Sequence, residues 1–511
     1  MIPLEWMPPL MFGGLIVFML IGFPVAFSLM AAGLFFSAIA ISEGFFGIHF
    51  LQAIPQRIFG SVLANDLLLA IPFFTFMGAI LERCGLAEEM LDSMGQLFGR
   101  VRGGLGYSVI IVGFILGAIT GTVAAQVIAM AMISLPVMMR YGYNMRYATG
   151  VLAASGTITQ LVPPSLVLIV LADQLKTQSG SADVGSMYLG AWGPSLLQIA
   201  LFALYTFFLS RIRPDYLPAV PESDLTLKGV ALWKKCLMGI VPSAVLIFLV
   251  LGTIMTGIAT PTESGAMGAM GALLLAWLRR ASISNLKGLI EEAYQNTMRI
   301  TAMVVFILIG STCFSVVFQG VDGGHWVENL FSGLPGGWIG FLIVVNLFVF
   351  FLAFFLDFFE IAFIIVPMLA PVAVKLLSPV LLDSMNGNPQ AAASAALVWF
   401  GVMLCVNMQT SFMHPPFGFA LFYLRGVAPK EVKSRDIYWG ALPWVGLQLI
   451  MVAVVIAFPA LVTTLLDKPA AVVQSQDFNF TGGEDSKSEA PTSKADEDAP
   501  VTFQLDKPIK Q

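Results

Sequence analysis

Charged residues are scarce in this 511-residue chain: they make up 11% of it, against about 25% in soluble domains. The four cysteines are scattered through apolar sequence and the three histidines lie far apart, so neither disulfides nor a metal-ligand cluster is expected. The net charge of −5 includes no basic block suited to nucleic acid. P-loop, HExxH and GxSxG motifs are missing too, which removes the commonest sequence signs of an enzyme.

Hydrophobic residues, by contrast, make up 58% of the chain, and apolar runs recur almost from end to end. A helix needs about 20 apolar residues to cross the hydrocarbon core, whereas barrel strands would show shorter alternating segments. The chain is therefore predicted to be an all-α, multi-pass protein of a lipid bilayer. The predicted crossings are residues 8–21, 24–41, 63–82, 147–173, 193–210, 236–257, 262–278, 300–318, 393–424 and 439–465.

Several of the apolar segments are interrupted near their centres. Segment 105–139 contains GAITGT and segment 338–376 contains FFLDFFE, while two predicted crossings contain paired prolines, at Pro163 and at Pro415. Proline cannot continue a regular helix. Irregular backbone is tolerated at membrane depth only where it faces protein or a water-filled cavity. All four interruptions therefore predict irregular backbone buried in the middle of the protein.

The two halves of the chain carry similar motifs in the same order, about 235 to 250 residues apart. GFPVAFSLMAAGLFF corresponds to ATPTESGAMGAMGALLL, ISLPVM corresponds to IIVPML, and TITQLVPPSLVLIVLA corresponds to MQTSFMHPPFGFALFY. This order predicts one repeat over residues 1–215 and a second over 236–466, joined by a cytoplasmic linker at 216–235. The polar tail, residues 467–511, is expected to be disordered.

The distribution of Lys and Arg predicts which loops face the cytoplasm. Loops 83–102, 140–146, 211–235, 279–299 and 425–435 are predicted inside, and loops 42–62, 174–192 and 319–337 outside. Segments 105–139 and 338–376 must then each return to the face they entered from, as re-entrant hairpins from opposite sides. The amphipathic segments 84–102 and 284–299 are interpreted as interfacial arms, with ordinary loops as the alternative.

Inverted repeats whose broken helices meet at mid-membrane are typical of secondary transporters, which hold sodium with unwound carbonyls. The first ion site is predicted at Thr120, Gly121, Thr122, Ser155, Gly156, Thr157 and Pro163, and the second at Asp357, Asn407, Gln409, Thr410 and Pro415. The candidate substrate contacts are Gln126, Thr159, Glu360, Ser411 and His414. Packing would explain Gln126 and His414 equally well, and membrane hydroxyls often bond their own helix. Intramembrane carboxylates are usually functional, but Glu263 is expected only to open the helix at 262.

Five motifs follow one another in the chain: IPFFTFMGAILERCGLAEEMLDSMGQLFGRVRGGLG, GAITGTVAAQ, ASGTITQLVPPS, GIATPTESGAMGA and SFMHPPFGFALFYLRG. Over about residues 1–465 they resemble the large membrane (M) subunit of tripartite ATP-independent periplasmic (TRAP) transporters. The resemblance implies an elevator-type importer of organic acids in the bacterial inner membrane, with sodium as coupling ion and no other cofactor. It also implies two partners, a small four-helix membrane (Q) subunit and a periplasmic substrate-binding (P) protein.

The chain departs from the commonest family pattern in two places. Its first tip reads TGT where SGS is frequent, and His414 stands before the second prolines where threonine is common. Three other functions stay open. A self-sufficient ion-coupled anion transporter of the same superfamily would need no binding protein. An intramembrane enzyme would need a partner for Asp357, such as a second intramembrane aspartate, and a channel fits hairpins from both faces less well than alternating access does.

Overall fold

Helices make up nearly all of the structure. The computed structural model describes residues 3–225, 229–280, 285–414 and 418–468, and within these ranges only an isolated bridge between Lys176 and Ser181 has β geometry. A membrane interior offers backbone groups no partner, and a helix supplies all of them internally. Pro415, and the tail from residue 469 onward, lie outside the described residues.

The first half of the chain begins with α1 (Met7–Leu20), α2 (Val25–Ser42), α3 (Ile48–Leu63), α4 (Asp66–Arg83) and α5 (Leu86–Phe98). It continues with α6 (Gly104–Thr120), α7 (Val123–Arg140), α8 (Met145–Thr157), α9 (Leu166–Gln174) and α10 (Val184–Ile212). Polar side chains start several of these helices by accepting from free N–H groups of the first turn, as Asn144, Ser165 and Asp183 do.

The second half begins with α11 (Val230–Met255), α12 (Pro261–Leu278), α13 (Leu286–Gly320), α14 (Gly323–Ser332) and α15 (Gly337–Leu352). It continues with α16 (Phe358–Leu381), α17 (Pro389–Met408), α18 (Phe419–Val427), α19 (Ser434–Ala457) and α20 (Ala460–Thr463). Thr260 and Glu263 cap α12 reciprocally, which confirms the predicted structural role of Glu263.

By length and composition, eight of the described helices could cross a membrane. The number rises to ten if each of two bent pairs is one span, α3 with α4 at 50° and α14 with α15 at 117°. The all-α, multi-pass class predicted from the sequence is confirmed. Helices α3 and α14 fall in segments that were predicted to be loops.

Both interrupted segments fold back on themselves. In the first, α6 ends at Thr120 and α7 begins at Val123, and Gly121 adopts φ +63°, which glycine enters without steric cost. The side chain of Gln126 then reaches the carbonyl of Gly113 at 2.6 Å, which requires the chain to reverse. In the second, Val344 of α15 and Met368 of α16 line the same apolar cavity on either side of the turn.

The second predicted arm is continuous with the crossing that follows it, and its place along the membrane surface stays a prediction. Helix α5 is an independent element at the position of the first arm, but segment 284–299 is absorbed from Leu286 onward into α13, which runs unbroken for 35 residues. The segment 286–320 contains no proline, so nothing interrupts the backbone hydrogen bonds where the amphipathic pattern gives way to apolar sequence.

Helices of the two halves pack in matched pairs. Helix α2 packs on α13, and α12 packs on α4. Helix α8 packs on α19, and its counterpart α17 packs on α10. Within each half, the second hairpin helix packs on the broken helix, α7 on α8 and α16 on α17. Such reciprocal contacts are what two interlocked copies of one motif produce.

Replacing Gly310 by alanine should separate α2 from α13. A Cβ at this position would lie 2.5 Å from the carbonyl oxygen of Ala26, which is backbone and cannot rotate away. Overpacking of this kind costs about 1–3 kcal/mol, so we expect a lower melting temperature of the purified protein in detergent. Gly13→Ala is the control, because nothing lies within 4 Å of its added Cβ. Equal melting of the two variants would contradict close helix packing at Gly310.

Candidate functional site

The first break, residues 158–165, lies between α8 and α9 and is fully enclosed. A short 3-10 turn, Ile158–Gln160, follows α8, and Pro163 and Pro164 separate it from the start of α9. Side chains from elsewhere, or from the break itself, bond the carbonyls that the helix no longer uses. These bonds are Gln126 Nε2 to Ser155 O (3.1 Å), Thr159 Oγ1 to Gly156 O (2.8 Å), Ser195 Oγ to Leu161 O (3.2 Å) and Cys405 Sγ to Gln160 O (3.2 Å).

Gln126 fastens the first hairpin to this break. Its Nε2 donates to Gly113 O at 2.6 Å and to Ser155 O at 3.1 Å. Its Oε1 contacts Thr159 Oγ1, whose single hydrogen is shared between this oxygen and Gly156 O. The amide therefore joins α6, α7 and α8 at one buried point. In the structure, Gln126 and Thr159 make hydrogen bonds within the protein. Their contact with substrate stays a prediction.

The hairpin tip lies close to the break. Added Cβ atoms would lie 2.8 Å from Cβ of Ser155 at Gly113 and 3.2 Å from Cα of Thr159 at Gly117, so only glycine permits this approach. Gly121 lies four residues beyond Gly117, which is about one helical turn, or 5.4 Å. Gly121, at the tip, therefore lies about one turn beyond the residue that approaches Thr159 of the break.

The second break, residues 409–418, follows α17. Its 3-10 turn spans Gln409–Phe412, and α18 begins at Phe419. Two of the predicted ligands bond back to their own chain, Thr410 Oγ1 to Asn407 O and Ser411 Oγ to Met408 O, both at 2.7 Å. Asn407 Nδ2 donates to the backbone O of Asn346 in α15 at 2.8 Å and to its side-chain Oδ1 at 3.0 Å. These bonds hold the second hairpin against its broken helix.

The tip of the second hairpin contains two carboxylates that start a helix. Asp357 accepts from Glu360 N and Glu360 accepts from Asp357 N, both at 3.0 Å, so each carboxylate uses one oxygen in a reciprocal cap. This local role, which the sequence analysis did not predict, leaves each group a second oxygen. Aromatic packing joins the tip to the break, because the ring of His414 stacks on Phe354 with centroids 4.1 Å apart.

Each hairpin contacts its own broken helix, through Gln126 in the first half and Asn346 in the second, and the two ion sites stay predictions. Gly156 packs against Val127 of α7, Pro163 lies in the enclosed first break, and Pro415 lies outside the described residues. Three functional candidates were missed: Gln198, Asn346 and Gln448, each buried in an apolar helix and bonded to a broken-helix residue. A polar amide within an apolar run is the sequence signal that could have identified them.

Two cavities open beside the hairpins. One, of about 670 Å³, is lined by Arg57, Lys176 and Gln319, one residue from each loop predicted outside. The other, of about 460 Å³, is lined by Asp92, Tyr141 and Asp224 from three loops predicted inside.

The cavities also reach equivalent positions of the two repeats. Met368 of α16 lines the first cavity, and Val137 of α7, its counterpart in the paired motifs IIVPML and ISLPVM, lines the second.

The described residues contain no group of three or more His, Cys, Asp or Glu side chains that could hold a metal ion. The four cysteines are unpaired and buried, and Cys405 also donates to Gln160 O at the first break.

Comparison with known proteins identifies relatives over nearly the whole chain. The family model described as "Tripartite ATP-independent periplasmic transporter, DctM component" matches residues 12–461. The C4-dicarboxylate TRAP transporter large permease protein DctM of Rhodobacter capsulatus is 27% identical over 465 residues, covering 88% of this chain and 97% of that protein. The sialic acid TRAP transporter large permease protein SiaM of Vibrio cholerae is 26% identical, with 86% and 93% covered.

The fold is also similar to that of a transporter whose structure is solved. This is the crystal structure of the YdaH transporter of Alcanivorax borkumensis, with a TM-score of 0.52 at 14% sequence identity, covering 81% of this chain and 89% of that chain.

Asp357→Asn should separate the charge of Asp357 from its capping role. Asparagine caps a helix as well as aspartate does, whereas alanine costs about 1 kcal/mol. We expect the Asp357→Asn variant to keep the wild-type melting temperature but to lose transport. The Asp357→Ala variant should have a lower melting temperature and should also lose transport. Thr260→Ala removes the N-cap of α12 and serves as the control, with lower stability and normal transport. Normal transport by Asp357→Asn would limit Asp357 to capping.

Proposed function

We propose a function on the premise that the chain belongs to the family of the DctM component of tripartite ATP-independent periplasmic transporters. As a member of this family it is a large permease component and a multi-pass protein of the bacterial inner membrane. The proposal is that it imports organic acids, that sodium drives the import, and that the two hairpins and broken helices move together as an elevator against α2, α4, α12 and α13.

The names of the relatives and of the family support the substrate class and the partners. The two relatives are named for a C4-dicarboxylate and for sialic acid, both of which are carboxylates. The family name describes three components, one of them periplasmic. We therefore propose a small membrane subunit and a periplasmic binding protein as partners. The binding protein would deliver the carboxylate to the cavity that Arg57 lines, where Lys176 is paired with Asp173.

Two buried oxygens carry the proposal of sodium coupling. Ser155 Oγ and Asn407 Oδ1 are enclosed, and within the described residues no group donates a hydrogen bond to either. They occupy equivalent positions of the two repeats, about 250 residues apart, eight residues before Pro163 and Pro415 respectively. An unsatisfied buried acceptor costs about 1–3 kcal/mol. A cation bound to it removes that cost, and transporters hold sodium with oxygens of unwound helices.

The two cavities support alternating access. Equivalent segments of α7 and α16 each line one cavity, and the two cavities draw on two separate sets of loops. Under the predicted topology one cavity faces the periplasm and the other the cytoplasm. A substrate site between the hairpins would open to the periplasmic cavity in one state and to the cytoplasmic cavity in the other. Such an alternation is expected when two inverted repeats exchange conformations.

The test is uptake of radiolabelled succinate and sialic acid into vesicles that contain the full chain, with the small membrane subunit and candidate binding proteins supplied. We expect uptake only with an inward sodium gradient and a binding protein. Uptake driven equally by potassium would contradict sodium coupling. Uptake without any binding protein would favour the self-sufficient transporter instead.

Thr122→Ala and Ser155→Ala should each weaken the response to sodium. Loss of one oxygen ligand worth about 1–1.4 kcal/mol raises the half-saturating sodium concentration roughly five- to tenfold. Ser37→Ala is the matched control, since Ser37 is buried in α2, where its Oγ donates to Leu34 O at 2.8 Å, outside both breaks. An unchanged sodium response in both variants would remove the first ion site from the proposal.

A further inference from the structure

A hydrogen-bonded cluster of buried side chains lies where the two broken helices cross. It consists of Thr157, Gln198, Gln409 and Gln448, and we name it the crossing cluster. Gln448 Nε2 of α19 donates to Thr157 Oγ1 at 2.9 Å and to Gln409 Oε1 at 3.4 Å. Gln198 of α10 and Gln409 donate to each other, at 2.7 and 3.3 Å. All four side chains are fully buried.

The cluster repeats the internal symmetry of the chain. Thr157 and Gln409 are equivalent residues, placed six residues before the two paired prolines. Gln198 and Gln448 are also about 250 residues apart, on α10 and α19, which pack on the opposite half's broken helices α17 and α8. Two equivalent pairs therefore meet at one point. The bonds of this cluster connect a residue of the first predicted ion site to a residue of the second.

Helix packing does not require these amides. Burying an amide is unfavourable unless its hydrogen bonds are made, and an apolar side chain of similar size would fill the same space. Elsewhere, a single hydrogen bond joins two helices. Tyr147 OH of α8 and Thr206 Oγ1 of α10 lie 2.9 Å apart, and neither residue belongs to a break. The crossing cluster has a longer chain of bonds, and it includes Thr157 at the end of α8 and Gln409 of the second break.

One amide joins the two ends of the cluster. Thr157 Oγ1 uses its own hydrogen to donate to Ala154 O at 2.8 Å, so it is an acceptor toward Gln448. Nε2 of Gln448 has two hydrogens and donates to Thr157 Oγ1 and to Gln409 Oε1 together. A cation that binds Thr157 Oγ1 repels the N–H group there and moves the amide, which also changes its bond to Gln409. A change at one break thereby alters the hydrogen bonding of the other.

We propose that the crossing cluster couples the two ion sites, so that occupation of one changes the affinity of the other. This inference rests on the proposed sodium-driven transport, and it adds Gln198 and Gln448 as positioning residues. Coupling of two sites through a shared element is reciprocal. Gln448 bonds both Thr157 and Gln409, and Gln198 holds Gln409 in position for that bond, so removing either glutamine should weaken the coupling in both directions. The cluster would give the bound ions a cooperative effect on transport.

The test compares Gln198→Met, Gln448→Met and the double variant in the full chain, reconstituted in vesicles with its partner proteins. Methionine keeps the approximate length of glutamine and removes its hydrogen bonds. The initial uptake rate is measured against sodium concentration, and the Hill coefficient is the readout. Thr206→Val is the matched control, because it removes a buried hydrogen bond between α8 and α10 away from both breaks.

We expect a wild-type Hill coefficient near two that falls toward one in either glutamine variant. The double variant should be no worse than the worse single variant, because both act through Gln409. Thr206→Val should lower stability and keep the wild-type Hill coefficient. If a methionine variant does not fold, Gln198→Asn and Gln448→Asn replace it, since the shorter amide stays polar but cannot span the same distance.

Different results contradict different claims. A wild-type protein whose uptake ignores sodium would contradict the proposed function itself. Sodium-dependent uptake with a wild-type Hill coefficient of one would overturn only the coupling. The same holds for a cooperative response that persists in both glutamine variants, or for defects that add in the double variant. Those outcomes would leave the cluster a structural contact between helices.

Discussion

The structure depends on one constraint: in an apolar interior every backbone carbonyl and N–H group needs a partner within the protein. Unbroken helices such as α13 meet it unaided. At the two breaks the helices do not, and side chains from other elements supply the bonds, as Gln126 and Ser195 do for carbonyls of Ser155 and Leu161. The irregular backbone therefore exists only because hairpins and neighbouring helices surround it. Breaks, hairpins and their polar fastenings form one unit rather than separate features.

The same constraint explains why polar residues recur in equivalent pairs. Ser155 and Asn407 hold buried oxygens, and Gln198 and Gln448 approach the breaks from equivalent helices. Because the sequence is repeated, each half contains a break. Each half also contains the polar groups that bond the backbone at a break. Under the proposed function, the two linked breaks would bind two cations and transmit the effect of one to the other. The reciprocal packing of α2 on α13 and of α12 on α4 joins the two halves of the chain.

Much of the fold follows from local chemistry that a sequence displays. Gly121 and the prolines at 163 and 164 interrupt their helices locally, so the first hairpin tip and the first break were predicted where the structure has them. The partners of polar groups could not be predicted in this way, because they depend on which helices become neighbours. Thr410 and Ser411 resemble free ligands in sequence but bond their own chain. The continuity of α13 was missed because a change from amphipathic to apolar pattern alters the exposed face of a helix without breaking it.

Near their tips, the two hairpins contact their broken helices through different kinds of interaction, which differ in how strictly they depend on direction. The first is held at Gln126 by hydrogen bonds, which weaken steeply when their angles change. The tip of the second rests on stacked rings of His414 and Phe354, and ring contacts tolerate offset sliding. Small lateral displacements therefore cost less at the second tip than at the first. If one hairpin tip opens to admit or release the transported solute while the other stays closed, these contacts favour opening of the second tip, which is held by aromatic rings.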